Sequence, residues 1–138
     1  LILLFFEMGC NSRLVKPEIE LLNGYWRIDF ITQKNETFRP EGITKLLDYY
    51  SLEKNIGVRK KVEPLINNNF IITEDRNPFR IVYNGKDYFL QFETRWDQWR
   101  EKIIKLNKSE LVLEHQEKKY HYMRFVKYLE FVIGCVFR

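Results

Sequence analysis

From Leu21 onward, large apolar residues recur at short intervals, and polar clusters rich in turn formers separate the runs. In Gly24-Tyr25-Trp26-Arg27-Ile28-Asp29-Phe30-Ile31, the apolar Trp26, Ile28 and Phe30 alternate with polar Arg27 and Asp29. A period of two sets one face of a strand against a core and the other in water. Thr32 to Thr37 is polar and ends that strand; Phe38-Arg39-Pro40-Glu41-Gly42 reads as a turn. Ile43 to Leu52 reads as the next strand, although Leu46, Leu47 and Tyr50 also suit a helix; the β-rich flanks favour strand. Gly57 to Pro64 carries the basic run Arg59-Lys60-Lys61, and Asn67-Asn68-Asn69 marks a turn before Phe70-Ile71-Ile72-Thr73. Glu74 to Pro78 reads as a further turn.

Asn84-Gly85 then separates Phe79-Arg80-Ile81-Val82-Tyr83 from Lys86 to Thr94. Asn-Gly between aromatic and β-branched runs is the strongest local hairpin signal, because both residues accept positive φ. Trp96 to Leu106 stays open between an amphipathic helix and a strand through Trp99, Ile103 and Ile104. Asn107-Lys108-Ser109 turns into Leu111 to His115, and Gln116 to Lys119 turns into Tyr120 to Phe125. Short runs at this spacing predict an all-β antiparallel meander. A meander of about eight strands hides its edges best by closing into a small barrel. Val126 to Arg138 is apolar but shorter than the ~20 residues a spanning helix needs. It either straps the barrel outside as a helix or strand or is a non-native tail from a misread gene end.

Composition narrows the picture. The 138 residues allow one domain of ordinary size. With 45% hydrophobic and 30% charged residues, the chain is neither a disordered polyelectrolyte nor a multi-span membrane protein. An aromatic share of 16% favours a β-rich core or an aromatic-lined pocket. Only 6 Gly and 4 Pro are present, which excludes collagen-like, linker-like and repeat architectures. The net charge is +4, but the 23 basic and 19 acidic residues are interspersed. Arg59-Lys60-Lys61 is the only dense cationic run, so no nucleic-acid partner is expected. This run reads as a solvated strand face in preference to a site for an anionic ligand or lipid head group.

The first residues carry a separate signal. Leu1 to Phe6 is apolar, and Glu7-Met8-Gly9 leads to Cys10 and then polar Asn11-Ser12. This resembles a bacterial lipoprotein signal, which implies cleavage before Cys10 and acylation of its sulfur and new amino terminus. Glu7 departs from the pattern, since an apolar residue usually stands three before the Cys. The chain opens at Leu1 with neither an initiating Met nor a basic segment, so its natural start is expected upstream. The alternative is an ordinary apolar first element with a buried thiol. A disulfide from Cys10 to Cys135 is not expected. The expected organisation is a signal remnant over 1–9, a tether over 10–20, a barrel over 21–125 and an apolar extension over 126–138. The expected location is the cell envelope, with acylated Cys10 holding the protein at a membrane surface on the periplasmic or exterior side.

Gly24-Tyr25-Trp26 on the first strand and Arg124 on the last together resemble the lipocalin superfamily. There a G-x-W and a late Arg meet at the closed end of the barrel. A guanidinium on an indole face gains roughly 0.5–2 kcal/mol, and its fork can reach nearby carbonyls. The chain resembles the short lipocalin-like domains of bacterial envelope lipoproteins through Leu22-Asn23-Gly24-Tyr25-Trp26 and Phe38-Arg39-Pro40-Glu41-Gly42. The Thr-Asp-Tyr type turn of larger lipocalins has no clear match; Glu93-Thr94-Arg95-Trp96-Asp97 is near it only superficially. The resemblance implies Gly24, Trp26 and Arg124 as structural closure.

Tyr49, Tyr83, Tyr88, Phe92, Trp96, Trp99, Tyr120 and Tyr122 are the candidate ligand-pocket residues, giving an apolar lining with hydroxyl tips. Otherwise they simply fill a barrel whose interior is barely wider than its side chains. His115 and His121 flank the last turn and, with Asp97 or Glu114, would be the only metal candidates; nothing fixes a ligand spacing, so no metal or other cofactor is expected. Ser12, Ser51 and Ser109 lie in no nucleophile motif, and there is no H-E-x-x-H or phosphate-cradling loop, so no enzyme is expected. The expected function is non-catalytic binding of a small apolar or amphipathic molecule. The alternative is a structural or protein-interaction lipoprotein with a filled barrel.

Overall fold

The computed structural model describes residues 18–40, 46–65, 67 and 69–126. Cys10, the expected signal and the expected tether up to residue 17 lie outside them, as do Glu41 and Gly42 of the Phe38 turn and the extension after Val126.

A short 3-10 turn, Ile19–Leu22, leads into nine strands: β1 (Gly24–Gln33), β2 (Glu36–Phe38), β3 (Leu47–Glu53), β4 (Ile56–Pro64), β5 (Phe70–Tyr83), β6 (Tyr88–Glu93), β7 (Gln98–Leu106), β8 (Glu110–His115) and β9 (Lys118–Phe125). Each strand from β3 to β9 pairs antiparallel with the next. β1 closes the circle. Its first residues, Gly24 to Trp26, pair with Tyr50 to Asp48, while Tyr25 to Thr32 pair with Phe125 to Lys119. Eight strands therefore form a closed antiparallel barrel, and β2 folds back on the far end of β1 as an extra short strand. Closure leaves the ring without exposed edges, the standing liability of open sheets.

Alternation along the strands assigns the interior. Trp26, Tyr50, Phe79, Leu90, Phe92, Ile103, Leu111 and Leu113 join Ile19 and Leu22 in one buried cluster. The 3-10 turn caps one end of the barrel, and the β6–β7 and β8–β9 turns stand at the other.

Three segments differ from the sequence reading. The polar stretch read as a break and the Phe38 read as a turn contain strand: β1 runs to Gln33 and β2 spans Glu36–Phe38, paired back on it. Glu74 to Pro78 is not a turn: β5 runs unbroken over 14 residues. The register against β4 shifts between Lys60 and Val62, so Thr73 to Asp75 are accommodated opposite Lys61 as a bulge. The Thr73 hydroxyl donates to the Lys61 carbonyl at 2.9 Å and holds the irregularity in place. A bulge tolerates the polar residues and the Pro that, read in sequence, resemble a loop. Trp96 to Leu106 resolves as strand from Gln98, with Trp99, Glu101 and Ile103 on the inward face. In the β5–β6 hairpin only Gly85 takes positive φ. Asn84 contributes its side chain, which accepts from the Lys86 and Asp87 amides at 3.0 and 2.8 Å.

Candidate ligand-binding site

The capped end is tied by one arginine. Arg124 lies 4.2 Å over the Trp26 ring. Its Nη1 donates to the Asn23 carbonyl at 2.8 Å, its Nη2 to the Leu21 carbonyl, and its Nε to the Lys108 carbonyl. The Trp26 indole donates in turn to the Leu22 carbonyl at 2.9 Å. Gly24 makes room: a Cβ there would stand 2.7 Å from Arg124 Nη1, and its φ of +120° disfavours any other residue. First strand, last strand and entry turn thus share one guanidinium. This half of the barrel is filled with side chains.

Above the filled half the interior turns polar. A chamber of about 240 Å³ is lined by Asp48, Arg59, Lys61, Trp99, Glu101, His115, Tyr120 and Tyr122. Register explains the charged group: Asp48 pairs with Lys61 and Tyr50 with Arg59 across β3 and β4. Arg59 Nη1 donates to Glu101 Oε1 on β7 at 2.9 Å. Glu101 Oε2 accepts from the Trp99 indole at 2.8 Å. Lys61 Nζ sits against Asp48 Oδ1 as an ion pair without hydrogen-bond alignment. Beneath them lies an aromatic floor: Arg59 is 4.2 Å over the Phe92 ring, and Phe92 stacks on Trp99 at 4.9 Å. Burial pushes the Tyr50 and Tyr122 phenols well above their ordinary range, so both keep their protons. Burial opposes the charge on Arg59, but the Glu101 carboxylate that pairs with it keeps its pKa well above the ordinary value.

Tyr120 is shared with a second hollow at the uncapped end. This groove of about 580 Å³ is lined by Ile31, Gln33, Glu36, Thr37, Phe38, Lys118 and Tyr120. The interior therefore runs from a packed base through a charged chamber to a wider mouth.

Of the eight aromatic candidates, the structure brings Trp99, Tyr120 and Tyr122 to the chamber, with Phe92 in its floor. Tyr88 is partly buried against the packed cluster, and Tyr83 stacks on it from the surface at 4.6 Å. Tyr49 lies on the outer face of β3, 4.7 Å from Tyr25. Trp96 is 85% exposed at the tip of the β6–β7 turn and lines neither the chamber nor the groove. His115 and His121 fall on opposite faces of the hairpin. His115 lines the chamber, its Nδ1 donating to the Arg100 carbonyl at 3.0 Å, whereas His121 stacks on Phe30 at 4.1 Å outside. Burial, with Lys119 nearby, lowers the His121 pKa. Among the described residues no three His, Cys, Asp or Glu side chains are grouped to hold a metal.

The basic run is the main correction. Arg59 is not a solvated residue; with Lys61 it turns inward, and Lys60 lies on the other face of β4. Asp48 and Glu101 were likewise not singled out by the sequence, and His115 was weighed there only as a metal candidate. The available signal is charge complementarity at alternate positions, Asp48 and Tyr50 against Lys61 and Arg59, which becomes readable only once the β3–β4 register is known.

No protein-family model matches the chain, and no curated protein matches it. Among solved structures, it is similar to a lipocalin-like protein from Bacteroides uniformis, with 13% identity over 76% of this chain and 99% of that one, at a TM-score of 0.46. An uncharacterized protein from Bacteroides eggerthii matches with 7% identity over 75% and 99%, at a TM-score of 0.47. Lobster apocrustacyanin A1 matches with 12% identity over 86% and 69%, at a TM-score of 0.43.

Proposed function

We propose that the protein is a non-catalytic binder of a small amphipathic molecule, held in the uncapped half of the barrel. The observation that supports this most is the contrast between the two halves. The capped half is closed by Arg124 and packed, whereas the other keeps a chamber of about 240 Å³ that opens toward a groove of about 580 Å³. Binding sites commonly combine a mostly apolar wall with a few convergent polar groups. Here Trp99, Tyr120 and Tyr122 supply aromatic wall, and Arg59, Lys61, Asp48 and Glu101 supply polar groups. A long apolar ligand buried to full depth fits poorly, because it would displace the packed base or strand its alkyl chain on the ion pairs.

The test is titration with a dansyl-labelled fatty acid, excited through tryptophan. Saturable energy transfer that weakens about tenfold in Trp99→Ala, a loss of about 1.4 kcal/mol, is expected. Absence of saturable transfer, or uptake unchanged in Trp99→Ala, overturns the reading and favours a barrel that serves as a structural or protein-interaction module. The apolar run before Cys10 supports a further part of the proposal: acylated Cys10 tethers this binder to a membrane surface in the cell envelope.

A further inference from the structure

The outer face of β4 and β5 gathers positive charge that no acid of the fold neutralises. Phe79 belongs to the buried cluster, and Arg59 and Lys61 line the chamber. Alternation therefore sets Ile56, Val58 and Lys60 of β4 on the outside, with Arg76, Pro78 and Arg80 of β5 beside them. The register places Ile56 against Arg80, Val58 against Pro78 and Lys60 against Arg76. Like charges directly opposite each other destabilise a sheet, and nothing within the fold accounts for Lys60 facing Arg76. The row through Arg80 continues over Gln91 to Arg100 on β7, which adds a fourth cation. Among the described residues, ion pairs engage Arg39, Arg59, Lys61, Lys102 and Lys105 but none of these four. Glu53 opposite Ile56, Asp75 beside Arg76 and Glu93 at the end of β6 border the face without pairing to it. Apolar groups stand among the cations: Ile56 is 72% exposed, and Pro78 is exposed too.

We propose, on the reading of Cys10 as a membrane tether, that this face docks on the anionic headgroups of a phospholipid bilayer. Headgroup phosphates take Lys60, Arg76, Arg80 and Arg100, and Ile56 enters the interface between them. The tether favours lipid over an acidic protein as the partner. Asn23 binds the Leu52 backbone through both side-chain atoms, so the entry turn lies beside the β3–β4 turn, at the Ile56 end of the face. Cys10 precedes Glu18 by at most about 30 Å of extended chain, so an anchor there keeps this face within reach of the bilayer. Docking lays the barrel on its side and leaves the mouth groove, on β1, β2 and β9, free to take up ligand.

The test is co-sedimentation of the full chain carrying Cys10→Ala, which removes the acyl anchor, with two kinds of vesicle. One is phosphatidylcholine alone, the other equal parts phosphatidylcholine and phosphatidylglycerol. At low salt the mixed vesicles are expected to bind at least about tenfold tighter, since each Lys or Arg near an anionic surface adds to the attraction. High salt is expected to erase that preference. Adding Arg76→Glu and Arg80→Glu should reduce the preference below about threefold. Lys108→Glu with Lys119→Glu makes the same change in charge at exposed positions away from the face, and should keep it above about fivefold. Equal affinity for the two vesicles overturns the docking face, as does an equal loss in both pairs of substitutions. Fractionation of Cys10→Ala in high salt, which strips such a contact, reports the tether separately, so a failed vesicle preference beside released Cys10→Ala overturns the face and leaves the tether standing.

Discussion

Two arginines carry this barrel, and their surroundings give them opposite duties. Arg124 spends its donors on the backbone carbonyls of Leu21, Asn23 and Lys108 while lying on Trp26. Arg124→Ala is therefore expected to lower stability in urea by roughly 1–4 kcal/mol, with ligand preference unchanged, since the lost contacts are packing and backbone bonds. A selective change in ligand choice would contradict a closure role. Arg59 instead faces Glu101 in a nearly buried pair, with side chains 13% and 9% exposed. Removing one member leaves a buried charge uncompensated, so Arg59→Met or Glu101→Leu alone should cost about 3–5 kcal/mol. The double variant should cost clearly less than the sum, which a thermodynamic cycle from urea melts will show. Additive losses would mean that the two side chains are not coupled. The closing arginine was legible only through the resemblance that Gly24-Tyr25-Trp26 and a late Arg carry. The chamber arginine was not: in Arg59-Lys60-Lys61 only pairing with Asp48 and Tyr50 reveals which residues turn inward.

At the scale of elements, strands appear where alternation is clean and were obscured where a bulge interrupts it. β1 and the β5–β6 hairpin follow directly from apolar spacing and Asn84-Gly85. β5 does not, because the Thr73 to Asp75 bulge places polar residues in mid-strand and mimics a loop. β7 was ambiguous for another reason. Its inward Glu101 and outward Arg100 and Lys102 blur the apolar period, and only the partner Arg59 makes an inward acid tolerable. One glycine reports how tightly the elements meet. A Cβ on Gly57 would stand 2.6 Å from Phe79 Cζ and 2.7 Å from the Ser51 carbonyl. The Phe79 ring pairs directly across from Gly57 and belongs to the buried cluster, so it has little room to retreat. Gly57→Ala is expected to lower the urea midpoint by an amount equivalent to about 1–3 kcal/mol, the usual cost of overpacking. An unchanged midpoint would mean that β4 and β5 are looser than their register implies.

The whole molecule is a barrel of two unlike halves, one packed shut around Trp26 and the other holding charges under a wide mouth. The all-β class and the closure of first strand on last were accessible from periodicity and turn chemistry. The division of the interior was not, because filling depends on which aromatic residues turn inward, and Tyr49, Tyr83 and Trp96 look no different in sequence from Trp99 and Tyr122. The proposed tether is tested at this scale too: Cys10→Ala is expected to move the protein from membrane to soluble fractions, and unchanged fractionation would refute lipid anchoring. The three tryptophans sample three distinct places: Trp26 in the packed base, Trp96 85% exposed at a turn tip, and Trp99 on the chamber wall. Their indole N–H resonances, followed by heteronuclear NMR during titration with a fatty acid, test the account most directly. The prediction is a saturable shift of the Trp99 signal with those of Trp26 and Trp96 unmoved; a shift confined to Trp96, or none at saturating ligand, would contradict it.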